Sequence, residues 1–250
     1  MRYLQLRPPG GETEIAPLLE RMFAAIEPPD DRPYTLVNFI ESVDGRATVK
    51  GRSGGLGDDG DRTLFHSLRE RVDAVYAGTT TMRLERYGRI LGKPERRQRR
   101  RERGLSPEPI ACTMTRSGEV PTEIPLFSEP EVRVIVFGPA SLEGCFDDCA
   151  ASVELVVLQP GELTFAAAMA RLRERGVRTL LCEGGPRVFG GLLREGVADE
   201  LFLTLAPKLT GGGDGPAITS GPELVDPAEL ELRWLLERDG ALYARYLIRR

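Results

Sequence analysis

The chain has 250 residues, 41% of them hydrophobic, enough for one large α/β domain with a sizeable buried core or for two small ones. Its formal net charge of −4 gives no global attraction to nucleic acid or to anionic membranes, so an anionic ligand must be met by a local site. No run has the length of apolar sequence that a membrane helix needs, and the opening MRYLQLRPPGGETE has neither an apolar core nor a small-residue cleavage site, which makes the cytoplasm the expected location.

Residues 1–33 hold one helical pattern, with apolar residues at 15, 18, 19, 22, 23 and 26, closed by EPPDDRP; they read as an N-terminal helical extension to a domain spanning 34–250. From Tyr34 the pattern alternates. An apolar run YTLVNFI is followed by a turn at Asp44-Gly45, a glycine-rich loop KGRSGGLGDDG, a helix over about 61–71 and a second apolar run VDAVYAG, a strand–helix–strand signature. The runs PIACTM, VRVIVFG, VELVVL, VRTLLC, ELFLTLAP and LYARYLI read as further strands, with helices over 164–175 and 186–195. Fully apolar strands alternating with helices predict an α/β fold with a mostly parallel central sheet and helices on both faces. Two segments interrupt the rhythm. The basic run 93–109 reads as a solvated loop or exposed helix, and the glycine-rich 210–221 as a mobile loop of the kind that covers a site.

The four cysteines, Cys112, Cys145, Cys149 and Cys182, stand in apolar surroundings and read as buried thiols of a reducing compartment. The two nearest are four apart and the single histidine, His66, is distant, so no metal site is expected.

Two joints between a strand and a helix carry the chemistry. In TLLCEGGPRVFGG, Pro186 suits the first helical position, which makes Gly185 the cap. A glycine cap leaves empty the place where a capping side chain would sit, so the joint either holds a phosphate on the helix N-terminus or merely turns the chain tightly. In VDAVYAGTTTMRLE, Gly78 precedes Thr79, Thr80 and Thr81, which either bind a second phosphate or form an ordinary threonine cap. On the helix over 61–71, Arg62, His66 and Arg69 share an edge that suits a substrate phosphate or a solvated flank. Arg116 and Ser117 follow the strand PIACTM, where a carboxylate would favour the free ribose hydroxyl of NAD and a cation suits the 2′-phosphate of NADP. A lone histidine makes a nucleophilic triad implausible and leaves Asp44, Glu85 and Glu183 as candidate acids.

Together, NFIESVDGRATVKGRSGG, LRERVDAVYAGTTTMRLE and LLCEGGPRVFGGLLREGVADELFLTLAPKL resemble the reductase domain of bacterial riboflavin biosynthesis, the RibD C-terminal domain family, from about Tyr34 to the C-terminus. The chain is most similar to its stand-alone actinobacterial-type members, with ERYG where they carry EGYG-like residues. The resemblance implies a three-layer, dihydrofolate-reductase-like fold that uses NADPH to reduce 5-amino-6-(5-phosphoribosylamino)uracil. It implies a cofactor site at Ile40, Gly55, Gly78, Thr79, Thr81 and Arg116 and along Gly184, Gly185, Pro186, Arg187, Val188 and Phe189. It implies a substrate site at Asp44, Ser53, Arg69 and Glu183, with Arg69 meeting the phosphate. Where the family usually has Asp-Asp-Pro after the threonine loop, this chain has Glu85, Arg86 and Tyr87, and Glu85 is the candidate proton donor. The family, with the apolar DELFLTLAP strand, suggests a homodimer. The zinc deaminase often fused ahead of this domain has no counterpart here, its H-x-E and P-C-x-x-C patterns being absent. Two other readings stay open: a dihydrofolate or other pterin or pyrimidine reductase of the same fold, and a non-catalytic NADPH-binding homologue.

Overall fold

A computed structural model describes residues 1–249, which divide into two compact units. The first is Met1–Glu27, Tyr34–Leu68 and Cys182–Arg250; the second is Pro28–Pro33 and Arg69–Leu181.

In the first unit the strands are β1 (Tyr3–Arg7), β2 (Glu12–Thr13), β3 (Tyr34–Ser42), β9 (Glu200–Ala206), β10 (Leu230–Arg238) and β11 (Ala241–Ile248), in the spatial order β2-β1-β10-β11-β9-β3. β3 and β9 are parallel; the other pairs are antiparallel. The run from Thr35 to Ile40 is buried without a break, as β-branched and aromatic residues in an interior strand should be. Helix α1 (Ile15–Ala24) buries Ile15, Leu18, Leu19 and Met22, the stripe its spacing predicted. Helix α2 (Asp59–Arg69) starts two residues earlier than expected because Asp58 Oδ1 accepts the Asp61 amide at 2.7 Å and caps the first turn. Helix α6 (Pro186–Arg194) stacks Phe189 on Phe39 of β3, ring centroids 5.5 Å apart.

The second unit holds β4 (Ala74–Tyr76), β5 (Ile110–Met114), β6 (Arg133–Gly138), β7 (Ser152–Val157) and β8 (Thr179–Cys182, up to Leu181), in the order β8-β4-β5-β6-β7. Pairing is parallel from β4 through β7. Its helices are α3 (Thr79–Leu84), α4 (Pro94–Glu102) and α5 (Phe165–Glu174), the last capped by Thr164 Oγ1 on the Ala167 amide at 3.1 Å.

The α/β class and its parallel strands follow the sequence pattern, and five features depart from it. Residues 1–33, read as a helical extension, also supply β1 and β2, and β1 pairs antiparallel with β10. β10 escaped the alternation because its register slips between Leu232 and Trp234, which breaks the period of two inside one strand. The basic run is not simply solvated: on α4, Arg100 is fully buried, with Nη1 donating to the Val72 and Arg69 carbonyls at 2.6 and 3.1 Å and Nε to Ser106 at 2.7 Å. Arg99 forks onto the buried Glu70 at 2.9 and 2.7 Å, so part of this helix is a clamp within the unit. Of the thiols, only Cys112 and Cys182 are buried, while Cys145 is exposed and Cys149 half-buried, because those two lie in the irregular segment between β6 and β7. The glycine-rich 210–221 is tied down rather than loose, as described next.

Candidate active site

Among the sequence-predicted residues, the first unit carries Ile40, Asp44, Ser53, Gly55 and the joint Glu183–Phe189; the second carries Arg69, Gly78, Thr79, Thr81, Glu85 and Arg116.

The joint ahead of α6 has the expected form. Gly185 is the cap with extended backbone (φ −88°), no side chain caps the helix, and Pro186 occupies the first position. Gly184, joined to it by a cis peptide bond, has φ +108°, a conformation L side chains rarely adopt, and a Cβ there would stand 3.4 Å from the Phe39 ring. Half-buried Glu183 immediately precedes it. The tight turn and the vacant cap are therefore both present.

A strap crosses this joint. The Ser220 amide donates to the Pro186 carbonyl at 3.1 Å, Arg194 Nη1 donates to the Pro222 carbonyl at 3.1 Å, and a Cβ on Gly190 would collide with the Ser220 carbonyl oxygen. The other end of the strap is held by the loop after β3. Asp44 accepts the Thr210 amide and hydroxyl at 3.1 and 2.9 Å, the Gly211 amide at 3.0 Å and the Ser42 hydroxyl at 2.6 Å. The Ser42 and Thr210 bonds, which favour the carboxylate, hold Asp44 far below the usual range. Arg46 Nη1 donates to Gly215 at 2.7 Å, the Ala47 amide to Pro216 at 2.8 Å, and Lys208 Nζ to the Gly55 and Leu56 carbonyls at 2.9 Å each. The segment expected to be mobile is thus fastened along its length, and Asp44, expected to face a substrate, directs its carboxylate to the strap. Sequence reading missed this because the strap partners of Asp44, Thr210 and Gly211, lie 166 and 167 positions away.

A cavity of about 230 Å³ in the same unit is lined by Ile40, Leu56, Asp58, Thr204, Ala206, Arg238 and neighbours. Ile40, Leu56 and Ala206 form its apolar side, with Val49 packed against them. Ser53 opens the short turn Ser53–Gly55 that leads into Leu56.

In the second unit, Gly78 rather than a threonine caps α3, again without a side-chain bond, which removes the threonine-cap reading of that joint. Glu85 is half-buried at the end of α3, next to Arg86, whose φ of +49° turns the chain. Arg69 Nη1 donates to the Ile90 carbonyl at 2.9 Å and its guanidinium lies 5.6 Å from the Tyr87 ring centroid, so it is held in one place. Arg62 is instead spent on an exposed pair with Asp59 at 2.7 Å, so the three-residue edge read from the sequence does not act as one group. Arg116 is exposed and aimed: Nε and Nη2 both donate to the Leu163 carbonyl at 3.1 and 2.9 Å, over the Phe165 ring. Its Nη1 makes no hydrogen bond among the described residues.

Residues 33–239 match the RibD C-terminal domain. The chain belongs to the RibD C-terminal domain family. A relative from Archaeoglobus fulgidus, named 2,5-diamino-6-ribosylamino-4(3H)-pyrimidinone 5′-phosphate reductase, is 23% identical over 214 residues, 85% of this chain and 96% of that protein. The riboflavin biosynthesis protein RibD of Aquifex aeolicus is 26% identical over 81% of this chain and 53% of its own length. Among solved structures, a pyrimidine reductase-like protein of Corynebacterium diphtheriae superposes with a TM-score of 0.75 at 26% identity, over 88% of this chain and 93% of that one. Among the described residues no cluster of three His, Cys, Asp or Glu side chains could hold a metal, and no helix is long and apolar enough to cross a membrane.

Proposed function

We propose that the chain is an NADPH-dependent oxidoreductase of riboflavin biosynthesis, reducing a 5-phosphoribosylamino-pyrimidine to its ribitylamino product, with 34–250 as the reductase domain and 1–33 as its extension. The observation that carries the reading is the joint before α6: a helix N-terminus with a glycine cap, a turn that needs glycine at 184, and no side chain in the place of an anion. A phosphate there gains about 0.3–2 kcal/mol from the helix dipole, besides its hydrogen bonds to the first-turn amides.

The residues fit NADPH. In the first unit, Gly184 to Phe189 would hold the diphosphate and Ile40 and Gly55 the nicotinamide half; Gly78, Thr79 and Thr81 of the second unit are kept as proposed cofactor residues. Arg116, held by Leu163 with Nη1 spare, meets the 2′-phosphate. When bound, the cofactor supplies a hydride. Ser53, Arg69 and Glu183 hold the substrate, Arg69 by its phosphate. Asp44 acts on the same site by fixing the strap. Reduction at C1′ opens the ribose at its C1′–O4′ bond, and Glu85, or a water it orients, would supply the proton that O4′ needs to leave as the hydroxyl of an open ribityl chain.

We keep a cytoplasmic homodimer as part of this reading. The dimer is supported by the face of β9, β10 and β11 that carries Leu203, Leu205, Leu235, Leu242 and Tyr246, all half-buried although apolar or aromatic. The test is NADPH oxidation in the presence of the ribosylaminopyrimidine phosphates and of dihydrofolate. Turnover of the pyrimidines supports the reading. Turnover of dihydrofolate alone, or NADPH binding without oxidation by any of them, overturns it.

A further inference from the structure

Helix α4 reads PERRQRRRE and carries no Leu, Ile, Val, Met or aromatic side chain, so apolar burial cannot hold it in place. Four arginines do so instead. Arg100 is fully buried and donates to the Arg69 and Val72 carbonyls at 3.1 and 2.6 Å. Arg96 and Arg99 reach the buried Glu70 at 3.3 and 2.7 Å. Arg97 donates to the Leu91 and Gly92 carbonyls at 2.8 and 3.3 Å. It also lies 3.8 Å from one oxygen of Glu108, whose other oxygen accepts the Leu91 amide at 3.0 Å.

The arrangement is costly. Burial pulls the Arg100 guanidinium down to about 10, and its Nη2 finds no acceptor among the described residues. Replacing buried charges by apolar side chains is often neutral or stabilising, so stability alone does not account for them. What they fix is narrow. Apart from the Ser106 carbonyl, which follows α4 in the chain, the acceptors of these four arginines lie in residues 69–72, in 91–92 or on Glu108, which ties Leu91. The same two stretches hold Arg69. The first is its own backbone, and the second follows Ile90, whose carbonyl accepts Arg69 Nη1 at 2.9 Å. All of these residues belong to the second unit, and together they locate the Arg69 guanidinium from both ends.

Resting on the reductase reading above, in which Arg69 meets the substrate's phosphate, we infer that α4 is the positioning element of that contact. Arg97, Arg99 and Arg100 hold Arg69 in its phosphate-binding pose while their own side chains are directed to protein acceptors. A mobile arginine gives up its side-chain freedom on binding, whereas one already held gives up little. A held guanidinium also presents its fork to a phosphate in one orientation, which a bidentate contact needs. Loosening the brace therefore weakens the phosphate contact by about 3- to 10-fold and leaves the reduction step as it was.

The experiment measures kcat and KM for the phosphorylated ribosylaminopyrimidine and competitive inhibition by inorganic phosphate at saturating NADPH, together with the NADPH Kd. It compares the parent chain with Arg69→Ala, Arg97→Ala, Arg99→Ala and Arg100→Lys, each checked for a cooperative unfolding transition. Arg100→Lys keeps the charge and loses the fork; exposed Arg99 carries the test should that variant fail to fold. Each brace variant should raise KM and the Ki of inorganic phosphate together by about 3- to 10-fold, with kcat and the NADPH Kd unchanged. Adding Arg99→Ala to Arg69→Ala should have no further effect, because the brace acts only through Arg69. Folded Arg97→Ala and Arg99→Ala with the parent's KM and phosphate inhibition overturn the inference and leave the reductase reading standing. So does an Arg99→Ala effect that persists undiminished beside Arg69→Ala, or one that falls on kcat or the NADPH Kd, as a general loosening would produce. Arg69→Ala with an unaltered KM removes Arg69 from the phosphate contact and the inference with it. No turnover of the pyrimidine phosphate by the parent overturns the reading and the inference together.

Discussion

Replacing Gly190 by alanine sets two effects of opposite sign against each other. In a helix interior, Gly→Ala is favourable by about 1 kcal/mol, because alanine has less backbone freedom to lose. Here the new methyl would meet the Ser220 carbonyl oxygen far inside contact distance, with Arg194 Nη1 at 3.2 Å on its other side. The obstacle is backbone, so the strap must move. Moving it strains or breaks the Ser220–Pro186 and Arg194–Pro222 hydrogen bonds, at about 1 kcal/mol each, and residual overpacking adds about 1–3 kcal/mol. The net expectation is a loss of about 3 kcal/mol, or roughly 6–12 °C in Tm for a chain of this size. Urea unfolding at unchanged slope should show the midpoint falling. A variant as stable as the parent, or more stable by the helix-propensity gain, would refute the claim that the strap is pinned on α6.

Four further outcomes follow from the same contacts. Asp44→Ala removes the anchor of Thr210 and Gly211, so limited proteolysis within 210–216 should be faster than in the parent; unchanged cleavage would show that Arg46 and Lys208 suffice. Burial raises Asp61 from an unfolded value of about 3.9 to about 6, so the folded state holds the extra proton between those values and stability should fall as pH rises from about 4 to 6, by about 2–3 kcal/mol at neutral pH. Asp61→Asn should lack that slope and be the more stable protein at neutral pH; an unaltered pH profile would contradict it. Glu85→Gln should lower kcat more than it raises the NADPH Kd, and an unchanged kcat would dismiss Glu85 from the proton step. Arg116→Ala should weaken NADPH by about 10- to 100-fold and leave NADH untouched, a result that equal affinity of the parent for both cofactors would rule out in advance.

Local chemistry carried most of what the sequence told. Pro186 after two glycines announced a helix start with an empty cap, and the apolar runs of β3, β5 and β6 announced interior strands, because neighbouring residues decide those features. Features decided by distant partners stayed hidden. Asp44 looked like a ligand to substrate because its strap partners come from the far end of the chain, and Arg100 looked solvated because the carbonyls that receive it lie 28 and 31 positions earlier.

The central claim is hydride delivery from NADPH to C1′ of a phosphorylated ribosylaminopyrimidine, and isotope transfer tests it most directly. With NADPH carrying deuterium at the nicotinamide C4 positions, the purified chain and the 2,5-diaminopyrimidinone phosphate should yield a ribitylamino product with one deuterium at C1′ for each NADPH consumed. NADPH consumed without deuterium at C1′, or no consumption with either pyrimidine phosphate, would contradict the account.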